Sequence, residues 1–66
     1  MYSIIKCVNG NFFIHAEGIQ SLASAKTMFH GLCQSLWNAA DVEKATVMIA
    51  DENLDYVMGY KEYISK

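Results

Sequence analysis

The chain reads as an α+β domain in which two antiparallel hairpins flank one helix (β-β-α-β-β) and the helix packs on a four-stranded sheet. Three observations predict this. Asn9-Gly10 separates two runs rich in β-branched and aromatic residues, Tyr2 to Val8 and Asn11 to Glu17. Asn-Gly between such runs is the strongest short hairpin signal, because both turn residues need positive φ. Leu22, Ala25, Phe29, Leu32, Cys33, Leu36 and Ala40 recur at helical spacing and fall on one stripe. Beyond them, Glu43 to Ala50 and Leu54 to Ile64 are strand-like again, on either side of Asp51-Glu52-Asn53.

In the first hairpin a two-residue turn sets Val8 opposite Asn11, Cys7 opposite Phe12, Ile5 opposite Ile14 and Ser3 opposite Ala16. One face then carries Ser3, Ile5, Cys7, Phe12, Ile14 and Ala16 and is the expected core face. The other is mixed: Tyr2, Ile4, Lys6, Val8, Asn11, Phe13, His15 and Glu17. Ser21 is placed to cap the helix through its hydroxyl, with Ser24 as the alternative. Met28 flanks the apolar stripe on one side, and Lys26, His30 and Trp37 flank it on the other. The helix is expected to end near Asn38 to Ala40. A second hairpin centred on Glu52-Asn53 pairs Ile49 with Tyr56, Val47 with Met58 and Ala45 with Tyr60. A one-residue change in loop length there swaps the faces of one strand.

Sixty-six residues make a single domain, 1–66. A composition of 53% hydrophobic and 18% charged residues is not that of a disordered chain. The net charge is −2, and the five lysines are dispersed, with no arginine. That argues against nucleic-acid binding, which needs several positive charges on one face. No stretch approaches the length of a membrane span, so no membrane partner is expected. The opening Met1-Tyr2-Ser3-Ile4-Ile5-Lys6 lacks the basic, apolar and cleavage regions of a signal peptide. The expected location is therefore cytoplasmic, with Cys7 and Cys33 reduced.

Four strands about 4.8 Å apart make a sheet nearly 20 Å wide, whereas a helix is only about 10 to 12 Å across. One helix leaves much of this sheet uncovered. An uncovered face that remains apolar marks an interface. The candidate interface residues are Tyr2, Ile4, Phe13, Trp37, Tyr56, Met58 and Tyr60. The expected function is a small protein–protein interaction or adaptor domain acting as a homodimer. The alternative is an inhibitor or modulator of a bacterial or phage enzyme, presenting Asp51, Glu52 and Asp55 to a basic surface.

A thiol- or metal-dependent enzyme is the remote alternative. His30-x-x-Cys33 places two ligand types one helical turn apart, and Cys7 is expected on the core face, with its distance from Cys33 left open by the sequence. A zinc site needs about four ligands, and the fourth is missing. A Cys33–His30 nucleophile and base would also need an orienting group and an oxyanion site. No catalytic residue, cofactor or metal is therefore expected.

Two stretches, His30-Gly31-Leu32-Cys33-Gln34-Ser35-Leu36-Trp37-Asn38-Ala39 and Val47-Met48-Ile49-Ala50-Asp51-Glu52-Asn53-Leu54-Asp55, occur together with Gly59-Tyr60-Lys61-Glu62-Tyr63 and the opening six residues. With these segments as its anchors, and over most of its length, the chain resembles short uncharacterised proteins of gut Firmicutes, some associated with mobile elements. The resemblance implies a bacterial setting and brings no activity or site residues with it.

Overall fold

The computed structural model describes residues 1–66 as β1 (Tyr2–Val8), β2 (Asn11–Ile19), α1 (Leu22–Asn38), β3 (Lys44–Ala50) and β4 (Tyr56–Ser65). The four strands form one sheet in the order β2-β1-β3-β4, and every neighbouring pair is antiparallel. The α+β class and the β-β-α-β-β order are those the sequence predicts. Asn9 and Gly10 adopt φ of 50° and 87°, the positive pair that a two-residue hairpin turn demands. Val8–Asn11, Cys7–Phe12 and Ile5–Ile14 pair as expected.

The register then departs from expectation. Ala16 pairs with Ile4 rather than Ser3, and Tyr2 pairs with Ile19. Each irregularity inserts an extra residue into β2, the second beside Gly18 at φ 70°. Such bulges bend a strand and re-aim its side chains. Ala16 and Ile19 are thereby delivered to the helix side, where they join Ile4.

The core face of the first hairpin is a correction. Tyr2, Ile4 and Val8 pack toward the helix, with Ile4 fully buried, while Ser3, Ile5 and Cys7 turn away. The physical reason lies in the central pairing. β1 pairs with β3 through Ile4–Ile49, Lys6–Val47 and Val8–Ala45. Ala45, Val47 and Ile49 are the most apolar face of β3, and β1 must present its even-numbered residues on the same side. Against them α1 lays Ala25, Phe29, Leu32, Cys33 and Leu36, and Ile19, Val42 and Ile64 close the ends of this core.

Helix α1 starts where the sequence places it. The Ser21 hydroxyl accepts from the Ser24 amide at 3.1 Å, satisfying one of the free donors of the first turn. Its last turn holds no basic residue. The Lys66 ammonium fills that role, donating to the carbonyls of Leu36 (2.8 Å) and Ala39. This places a cation on the negative end of the helix.

The second hairpin also needs correcting. Ala50, not Ile49, pairs with Tyr56, and Val47 and Ala45 pair with Glu62 and Ile64 instead of Met58 and Tyr60. Between the pairs Met48–Lys61 and Ala50–Tyr56 the register is irregular, with Gly59 at φ 88° inside the excursion of β4. The displacement at Val47 and Ala45 is an even number of residues, so Tyr60 shares the face of Ala45, Val47 and Ile49. That face packs on the helix, so Tyr60, expected on the uncovered side, is corrected to the helix side. Tyr56 lies beyond the irregularity and falls on the opposite face.

Candidate interaction surface

The sheet face away from the helix has no cover. The pairings place Phe12, Cys7, Thr46 and Tyr63 in one row across it, and Ile14, Ile5, Met48 and Lys61 in the next. Ser3, Ala50 and Tyr56 form a third. In the middle, Ile5 and Ala50 are shielded by their neighbours alone. At the sides the large residues stand open: Phe12 is 65% exposed, Ile14 55%, Tyr56 51% and Tyr63 68%. The open side of an antiparallel sheet is ordinarily polar, yet the one charged side chain in these rows is Lys61. Its ammonium lies 5.3 Å from the Tyr56 ring centre and 5.2 Å from that of Tyr63, within cation–π range. A hydrogen bond with Tyr63 raises the Lys61 pKa above its ordinary value, so Lys61 is charged at neutral pH.

The predicted interface residues do not form one patch. Ile4 is fully buried in the core and is withdrawn as a contact residue. Tyr2 is half-buried on the helix side. Tyr60 is half-buried there too, with ring centres 5.8 Å from Phe29 and 6.3 Å from His30 and with Lys26 5.0 Å away. Trp37 stands on the helix flank, its indole N–H donating to the Glu62 carboxylate at 2.9 Å. Met58 is exposed within the irregular part of β4. Phe13 lies on the helix side of β2 but beyond the reach of the helix, 48% exposed, with the Lys6 ammonium 5.7 Å away. Tyr56 alone belongs to the open face. Sequence reasoning missed Phe12, Ile14 and Tyr63 as its partners. The signal that could have found them is the alternation of β3, which is purely apolar on one face only.

The two cysteines are kept apart. Cys7 is on the open face and Cys33 in the core beneath the helix, on opposite sides of the sheet. The expected core-facing position of Cys7 is thereby corrected, and no group of three His, Cys, Asp or Glu residues comes together. Burial, with the neighbouring Glu62 carboxylate adding to it, pushes the Cys33 thiol up to about 11. Cys33 is therefore a protonated thiol at neutral pH, and the thiolate is the nucleophilic form.

The acidic turn is largely occupied with its own geometry. The Asp51 carboxylate accepts from the amides of Asn53 (2.9 Å) and Asp55 (3.1 Å), and the Asp51 carbonyl accepts from Leu54 N–H. Glu52 accepts from the Met1 amino group at 2.9 Å, which lowers its pKa. The hollow of about 360 Å³ lined by Asn9, Gly10, Glu43 and Lys44 lies at the other end of the sheet. There the Asn9 side chain is already bonded to Asp41, Glu43 and Lys44. No helix is long and apolar enough to cross a membrane. Comparison with protein families, with curated proteins and with solved structures found no match.

Proposed function

We propose that this chain is a small protein-interaction or adaptor domain that acts as a homodimer. The observation that carries the reading is the aromatic and aliphatic surface left uncovered by the helix, centred on Phe12, Ile14, Tyr56 and Tyr63. An apolar patch rimmed by polar residues is costly to leave in water and is the usual mark of a contact surface. Aromatic and methionine enrichment fits the core of such a contact. The bacterial cytoplasm is the proposed setting, on the resemblance to short proteins of gut Firmicutes. The alternative, inhibition of an enzyme through the acidic turn, draws less support, because Asp51 and Glu52 already have partners within the chain.

Concentration-dependent amide shifts, recorded by NMR from micromolar to submillimolar protein, test the reading. Dimerisation moves signals of β2, including the open-face residues Phe12 and Ile14, and leaves Thr27, Gln34 and Ser35 on the exposed side of the helix unmoved. Shifts confined to the helix, or none anywhere, would remove the uncovered sheet as the contact.

A further inference from the structure

β2 is an edge strand whose first half is unguarded. Edge strands are normally protected by charge, proline, bulges or a covering element, because their free backbone groups template pairing with another chain. The opposite edge, β4, carries Lys61, Glu62 and an irregular stretch. In β2 the protective features come late: the bulge between Ile14 and Ala16, then Glu17, then Gly18. Asn11 to Ile14 contains no charge, glycine or proline.

The backbone of this half is available. Asn9 N–H donates to the Lys44 carbonyl of the β3 side at 2.8 Å. Odd-numbered positions along β1 thus turn their hydrogen bonds toward β3 and even-numbered positions toward β2. Val8–Asn11 and Lys6–Phe13 are then the bonded pairs of the hairpin, which leaves Phe12 and Ile14 with N–H and C=O directed outward. The side chains show a second peculiarity. Phe12 and Ile14 are exposed on the open face, while Phe13 is exposed on the helix face. A partner lying flat on the open face covers the first two and misses Phe13. A strand added alongside β2 reaches all three.

Resting on the homodimer reading above, we infer that two copies join β2 to β2, antiparallel, about a two-fold axis at Phe13. The outward groups of Phe12 then bond those of the partner's Ile14, and Phe13 faces the partner's Phe13 in a non-hydrogen-bonded pair. The axis follows from self-complementarity. An axis at Phe12 sets Phe13 against the partner's Asn11, and an axis at Ile14 sets it against the partner's His15. Only the axis at Phe13 matches apolar with apolar on both faces and free donors with free acceptors. No charged residue of this segment meets its like. The two sheets become one, with Phe12 and Ile14 moved from the rim to the middle of the joined open face. Tyr56, Tyr63 and Lys61 stay free at its outer ends.

The test compares two single cysteines in a Cys7→Ser background, with Cys33 left buried. In the inferred register the Phe13→Cys pair has Cα atoms about 4.5 Å apart, inside the disulfide range of about 4.4 to 6.8 Å. The Phe12→Cys pair is offset by two residues and lies about 8 to 9 Å apart, too far to bridge. Under mild oxidation Phe13→Cys should cross-link into a dimer roughly tenfold faster than Phe12→Cys, or more. Phe13→Lys should raise the dimer dissociation constant about tenfold or more, with the far-UV dichroism of the dilute protein unchanged. A dimeric parent whose two cysteine variants link equally fast, or whose assembly ignores Phe13→Lys, overturns the edge pairing and leaves the homodimer. A parent that is monomeric throughout overturns both.

Discussion

Asn9 closes the first hairpin and fastens it to the loop that follows the helix. Its φ of 50° meets the turn's need for a left-handed residue. Its side chain accepts from Glu43 and Lys44 amides and donates to the Asp41 carbonyl. The two roles separate by substitution. Asn9→Gly keeps the backbone and loses the side-chain bonds, at a cost of about 1 to 2 kcal/mol. Asn9→Ala loses both and should cost about 1 kcal/mol more. Urea denaturation measures the difference, and a glycine variant as stable as the parent would show the side-chain bonds to be idle. The turn role was legible because it is local, set by Asn9 and Gly10 themselves. The fastening was not, since its partners lie more than thirty residues away in sequence. Leu54, at φ 64° in the second hairpin, was equally hidden: no spacing rule puts a leucine in a conformation that favours glycine or asparagine.

At the scale of elements, Ile4, Ile5 and Ile14 look interchangeable in the sequence and are not in the fold. Ile4 sits between helix and sheet, whereas Ile14 stands open on the far face. Ile4→Ala should cost about 2 to 5 kcal/mol, and Ile14→Ala should stay within about 1 kcal/mol when measured on dilute protein. The reverse order in thermal or denaturant unfolding would place the helix on the other face. Element type and order were readable because local periodicity fixes them. The buried face was not, because it is decided by the β1–β3 pairing and by bulges in β2. The irregular stretch of β4 likewise separates Tyr56 from Tyr60, which the sequence puts on one face: Tyr56 lies on the open face and Tyr60 beneath the helix. Lys66 is a further long-range feature: it caps a helix whose own last turn has no cation.

As a whole, the molecule is a thin sheet with a helix on one side only, measuring 32 × 19 × 18 Å between its extremes. A sheet this wide cannot be covered by a single helix, and the residues left outside are not those that water favours. Small domains of this size are marginal on their own core and commonly gain stability by association. The stability of the dimer should therefore depend on apolar contact and strand pairing, and only weakly on salt, because no ion pair is built into the proposed contact. The deciding measurement is sedimentation equilibrium of the reduced protein from micromolar to submillimolar concentration, at about 0.1 M and about 1 M salt. The homodimer account predicts a reversible rise in mass from 7.4 kDa toward twice that value, nearly the same at both salt concentrations. A mass that stays at 7.4 kDa across the whole range would contradict it.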